Sequence, residues 1–161
     1  MVGAGPGDPE LLTLKAVKAI ASATVLLVDD LVNEAVLAHA SPAARIVHVG
    51  KRGGCKSTPQ AFIDKMMIQA VKDGEQVVRL KGGDPFIFGR GGEEVEHLRQ
   101  AGIDVQVVNG ITSGLAGMSS LGAPLTHREH AHGVVFVTGH AKPGDNGTDW
   151  AQLAATARQA K

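Results

Sequence analysis

The sequence predicts an α/β fold: a mainly parallel sheet flanked by helices, followed by the start of a second α/β domain. Three observations carry that prediction. Short apolar, β-branched runs alternate with longer helical patterns, as in βαβ units. Glycine clusters follow the runs, where a parallel sheet places its ligand loops. The chain has 161 residues, 43% of them hydrophobic, enough for one core and part of another.

The elements follow in order. Met1-Val2 leaves only a stub of first strand before the loop Gly3–Pro9. Strands are expected at 24–28, 45–49, 76–80, 105–108 and 134–138, each short and bounded by polar or glycine residues. Helices are expected at 11–21, 34–40, 59–73, 92–101 and 113–121. Pro59 suits a first helical position behind Ser57 or Thr58, and Gly74 and Gly102 suit helix ends. After Gly122-Ala123-Pro124 the texture turns polar, through Leu125-Thr126-His127-Arg128-Glu129-His130-Ala131-His132. Residues 1–123 therefore read as an N-terminal α/β domain with glycine-rich loops. Residues 124–161 read as a linker with the first strand and helix of a second, truncated domain. The chain opens almost on a glycine loop and stops within a helical pattern, so both ends look cut.

Composition excludes several classes. Sixteen Lys+Arg balance sixteen Asp+Glu, and Trp150 and four Phe are the only aromatic rings besides histidine, so nucleic acid is not an expected partner. No apolar stretch reaches the ~18 residues of a membrane span, and the prolines near the start break any signal-peptide pattern. The lone Cys55 excludes an internal disulfide and suits a reducing cytoplasm.

The loops narrow the chemistry. Gly3-Ala4-Gly5-Pro6-Gly7-Asp8-Pro9 is not the G-x-G-x-x-G dinucleotide fingerprint, and Pro6 and Pro9 remove two N–H donors. It allows close backbone approach to a ligand that need carry no phosphate. Lys81-Gly82-Gly83-Asp84-Pro85-Phe86-Ile87-Phe88-Gly89-Arg90-Gly91-Gly92-Glu93-Glu94 packs glycines, a carboxylate and two cations between a strand end and a helix start. Asp84, extended before Pro85, can accept bonds from ligand hydroxyls or an amine. Glu93 and Glu94 suit the first helical turn and its dipole. His127-x-x-His130-x-His132 is not a zinc spacing, and no metal is expected.

These blocks, with Gly50-Lys51-Arg52 and Gly110-Ile111-Thr112-Ser113, resemble the tetrapyrrole methylase family over nearly the whole chain. The resemblance implies a two-domain enzyme, usually a homodimer, that binds S-adenosylmethionine and transfers two methyl groups to uroporphyrinogen III, giving precorrin-2 for sirohaem and cobalamin synthesis. It implies cofactor contacts at Pro6, Gly82, Gly83, Asp84, Ile87, Thr112 and Ser113. Asp29 matches the family's proposed proton acceptor and Lys51 its proposed donor. The tetrapyrrole's carboxylates call for local cations, and Arg52, Arg90, His127 and Arg128 are the candidates. Val28 and Asp30 stand where the family usually carries Tyr and Arg, and Asn109 where it carries Pro. A precorrin methylase with another acceptor carbon, or a non-catalytic cofactor-binding fragment, are the alternative readings.

Overall fold

The computed structural model describes residues 1–50, 58–139 and 147–159. The chain divides into two compact units, Met1–Ser113 and Gly114–Lys161. The expected boundary after Ala123 lies inside the second unit.

The first unit is built on a four-stranded parallel sheet in the order β1-β4-β2-β3, with β1 at Val2–Gly3, β2 at Val25–Val28, β3 at Arg45–His48 and β4 at Val77–Lys81. Central β2 is Val-Leu-Leu-Val and buried throughout, the continuous apolar run of a strand covered on both faces. At the edge, β3 is mostly exposed. The expected strand at 105–108 makes only one bridge, Val2 to Val108, because β1 offers just two residues to pair with.

Two apolar layers cover the sheet. On one face, α1 (Leu14–Ser22) and a 3-10 helix at Glu34–His39 pack Ala16, Ile20 and Val36 onto Leu26, Val28, Val78 and Leu80. On the other, α2 (Gln60–Lys72) and α3 (Gly91–Gln100) pack Ile63, Met67 and Leu98 onto Val25 and Leu27. Each such fully buried aliphatic side chain contributes roughly 1.5–3 kcal/mol.

Several expected elements shift for local reasons. The helix expected from Leu11 splits into a 3-10 turn at Pro9–Leu11 and α1, because the Thr13 hydroxyl caps the Ala16 N–H at 3.1 Å. The Glu34 segment, held between the Asn33 cap and Ser41-Pro42, closes as a 3-10 rather than an α-helix. Pro59 is itself the N-cap of α2, without a side-chain bond. Gly74 and Gly102 end α2 and α3 at φ +83° and +77° as expected.

The second unit contains most of α4 (Ser113–Ser120), an exposed turn at His127–Ala131 and α5 (Trp150–Gln159). Residues 134–138 form no strand: among the described residues no strand pairs with them, and β propensity without a ladder partner does not make a strand.

Candidate active site

Strand order decides where a cleft can open. After β2 the chain moves outward to β3, whereas after β4 it moves the other way, past β1 to Val108. Loops leaving adjacent strands in opposite directions part at their carboxyl ends, the switch point at which open α/β sheets bind ligands. A cleft of about 770 Å³ lies there. Its walls include Asp29, Asp30 and Leu31 after β2, Gly82, Gly83, Ile87 and Arg90 after β4, and Gly5, Pro6, Thr112 and Ser113 from other loops.

The glycine loops are packed against one another. Gly5 and Gly83 exchange backbone bonds, Gly83 N–H to Gly5 O at 2.7 Å and Gly5 N–H to Gly83 O at 3.2 Å. A Cβ on Gly3 would lie 2.6 Å from Gly110 N, and one on Gly110 would lie 2.1 Å from Gly83 O. Three loops therefore meet at distances that only glycine permits. The Gly3 and Ala4 N–H groups are bonded to Val108 O and Lys81 O. With Pro6 and Pro9 donorless, little of this loop remains to cradle a phosphate. The walls instead offer close backbone, the hydroxyls of Thr112 and Ser113 and the apolar Ile87. That set fits S-adenosylmethionine, which carries a ribose diol, an adenine and an amino-acid end but no phosphate.

Asp84 sits behind the cleft wall and is 4% exposed. Its Oδ1 accepts from Phe86 N–H at 2.8 Å, and its Oδ2 from Gly110 N–H at 3.1 Å and Asn109 Nδ2 at 3.2 Å. All these partners are protein donors. The carboxylate ties the β4 loop to the 109–113 loop, and Asn109 adds a bond that a proline could not.

Beside the cleft lies a charge cluster whose logic is the period of a strand. Side chains of β2 and β4 alternate faces, and Leu27 pairs in register with Arg79. Arg79 and Lys81 thus point to the α3 side with Leu27, and Asp29 follows with the same parity. There α3 presents Glu94. Lys81 Nζ lies 2.9 Å from Glu94 Oε1 and 3.4 Å from Asp29 Oδ2. Arg79 Nη2 lies 3.2 Å from Asp29 Oδ2, and its Nε lies 3.3 Å from Glu94 Oε2. This last contact is ionic rather than directed, since neither Nε nor Oε2 has a hydrogen-bond partner. Glu94 is 1% exposed, so the first-turn role expected of it is incomplete: it is the buried counter-charge of two cations. Glu93 behaves as expected, exposed and paired with Arg90.

Burial would raise the Asp29 carboxyl, but the charges of Arg79 and Lys81 and the bond from Asp30 N–H at 3.0 Å outweigh it, holding the group below the ordinary carboxylate value. Asp29 is therefore ionised at neutral pH. Arg90 lines the cleft and forms a fork with Glu93, which raises its already high value further. Phe88 and Arg90 both take left-handed φ of 55° around Gly89, a cost of roughly 1–2 kcal/mol each that the tight loop imposes.

Of the site residues expected from sequence, Pro6, Asp29, Gly82, Gly83, Ile87, Arg90, Thr112 and Ser113 line this one cleft. Lys51 and Arg52 lie outside the described residues. His127 and Arg128 belong to the exposed turn of the second unit. There His127, Glu129 and His130 bring potential ligand atoms together. The two imidazoles, however, stack at 4.5 Å with planes 16° apart, so an ion in the plane of one ring lies out of the plane of the other. Sequence reasoning missed Arg79 and Glu94 as site residues. The signal was two cations at alternate positions of a strand otherwise made of Val and Leu, which requires buried anions opposite.

The family model for tetrapyrrole (corrin/porphyrin) methylases matches residues 1–160. A uroporphyrinogen-III C-methyltransferase of Pseudomonas aeruginosa is 58% identical over 154 residues, covering 96% of this chain and 62% of that protein. A sirohaem synthase of Aeromonas hydrophila is 50% identical over 158 residues, covering 98% of this chain and 34% of that protein. Among solved structures, a uroporphyrin-III C-methyltransferase of Thermus thermophilus complexed with S-adenosylhomocysteine superposes with a TM-score of 0.68 at 51% identity, over 82% of this chain and 54% of that one. The chain thus spans between about one third and three fifths of the relatives it matches. No helix among the described residues is long and apolar enough to cross a membrane.

Proposed function

The chain belongs to the tetrapyrrole (corrin/porphyrin) methylase family, and from that premise we propose that it uses S-adenosylmethionine to methylate uroporphyrinogen III at ring carbons, yielding precorrin-2. The observation that carries the reading is the cleft at the β2/β4 switch point: a phosphate-free glycine cradle opening beside an ionised carboxylate. The relatives named as uroporphyrinogen-III methyltransferase and sirohaem synthase support the choice of acceptor and the sirohaem branch.

The roles follow from the chain's own groups. Pro6, Gly82, Gly83, Ile87, Thr112 and Ser113 hold the methyl donor, with Asp84 fixing two of the loops from behind. The bound donor supplies an electrophilic methyl on sulfonium. Catalysis then rests on orienting two ligands, which can contribute roughly 7–11 kcal/mol. No protein nucleophile is needed. Methylation leaves the macrocycle cationic, and Asp29 stabilises that charge and takes the proton that the macrocycle sheds, which restores its neutrality; Lys51 keeps the donor role that the resemblance implies, outside this step. Arg52, Arg90, His127 and Arg128 grip substrate carboxylates. In this reading the working enzyme is a cytoplasmic homodimer without metal.

Calorimetry with S-adenosylhomocysteine tests the cofactor half. Asp84→Asn keeps the shape but removes the charge that anchors Gly110 and Asn109, so affinity should fall about tenfold. Unchanged affinity would refute the anchoring role. Methyl transfer to uroporphyrinogen III tests the acceptor half, and a protein that binds S-adenosylhomocysteine yet leaves that porphyrinogen untouched would sink it.

A further inference from the structure

Asp29 does not stand alone at the cleft. Its Oδ2 is shared by Arg79 and Lys81, and both cations are shared in turn with Glu94, which is almost fully buried on the far side of them. Resting on the reading above, we propose that Glu94 is the positioning residue of the cleft: it holds Lys81 and Arg79 in place, so that Asp29 faces the substrate with a fixed direction and a compensated charge.

The geometry requires such a partner. Two cations buried beside one half-exposed carboxylate would leave a net positive charge in a dry site, which is costly. Glu94 brings the cluster to two positive and two negative charges. It also gives Lys81 its shortest contact, 2.9 Å, against 3.4 Å to Asp29. Lys81 is thereby held between the two carboxylates, closer to Glu94, rather than drawn fully onto Asp29. Arg79 has further anchors besides Glu94, its Nη1 donating to Leu27 O and Leu80 O.

Among the described residues, a few other charged groups lie nearby. Asp30 adjoins Asp29 on its own turn, its side chain lying against Gly50. Glu94 also faces the Met1 amine, and Arg90 feels both Glu94 and Asp64, the partner of His97 across α2 and α3. Of these, Asp30 meets Asp29 through its backbone N–H, at 3.0 Å. Among the described residues, the charges that lower Asp29 are those of Arg79 and Lys81, and Glu94 acts on it through them.

Removing the Glu94 charge without changing its shape separates this role from packing. In Glu94→Gln the two cations are left to Asp29 alone, so the Asp29 carboxyl, followed by ¹³C NMR, should titrate at lower pH than in the wild type. Turnover should drop by about tenfold with KM changed less than about threefold, and S-adenosylhomocysteine binding should be retained. A folded Glu94→Gln protein with an unmoved Asp29 titration would overturn the assignment. Should that variant fail to fold, Lys81→Met and Lys81→Met/Glu94→Gln supply the same comparison. Losing Glu94 must lower the Asp29 midpoint between those two, and equal midpoints overturn the proposal. If the wild type itself fails to methylate uroporphyrinogen III, the functional reading falls, while the titration still decides whether Glu94 governs Asp29.

Discussion

Two neighbouring regions at the carboxyl end of the sheet are held together by opposite means. Where Gly3, Gly83 and Gly110 meet, the loops touch backbone to backbone, with the Asp84 carboxylate bonding Gly110 from behind, and what matters is that no side chain intervenes between them. Beside it, at Asp29, Arg79, Lys81 and Glu94, everything depends on side chains and their charges. The first region is sensitive above all to volume. The second is sensitive to charge even where volume is kept. A site that must hold one ligand by shape and handle charge on another has use for both, and the fold keeps them apart.

The largest effect should come from breaking the volume rule. In Gly110→Ala the new Cβ would lie 2.1 Å from Gly83 O, a backbone atom that cannot step aside without undoing the Gly5–Gly83 pair. A loss of at least about 3 kcal/mol is expected, the range of severe overpacking. For a chain of this size that corresponds to a melting-temperature drop on the order of 10 °C. Thermal denaturation read at several pH values should show the same deficit throughout. A deficit that varied strongly with pH would mean that the two regions are not separate.

This division also explains what could be read from sequence. The run Val25–Val28 announces a buried strand, since nothing polar interrupts it, and the glycine clusters announce loops at the strand ends. Glycines at 3, 83 and 110 looked like room for a ligand, yet they are spaced far apart in sequence and their contact with each other depends on strand order. Asp84 looked free to meet a ligand because Pro85 fixes only its backbone. The donors that engage it come from residues 86, 109 and 110, two of them on another loop. Glu94 was hidden for a different reason: a first-turn helix position already accounts for a glutamate, and only the register of β2 against β4 shows which cations it meets. The apolar residues 134–138 mislead in the opposite direction, carrying strand composition with no ladder partner among the described residues.

A pH titration sharpens the contrast from the charged side. Asp29 has its folded value lowered from the ordinary 3.8, so the unfolded chain holds the proton more tightly. Its ion pairs therefore contribute stability fully above that ordinary value, and the contribution is lost as pH falls through the lower folded value. Wild type should exceed Asp29→Asn in urea-unfolding free energy at pH 6, and the gap should close in the acid range below about pH 4. A gap that persisted unchanged at pH 3 would show that Asp29 contributes by packing and not by charge.

The smallest effect should come from the residue next door to Glu94. Glu93 is a neighbour in sequence with the same chemistry, yet it pairs with Arg90 at the surface, the two side chains being 54% and 64% exposed. Solvent screens that pair, and surface ion pairs of this kind typically contribute less than about 1 kcal/mol. Glu93→Gln should therefore shift the urea midpoint barely, and added salt should erase the shift. Glu94→Gln removes the same charge one residue later, but from a position closed to water and bonded to two buried cations. Its effect should be several times larger and little changed by salt, because ions cannot reach the cluster to replace the lost carboxylate. Equal responses of the two variants would mean that α3 carries both glutamates for its helix dipole alone.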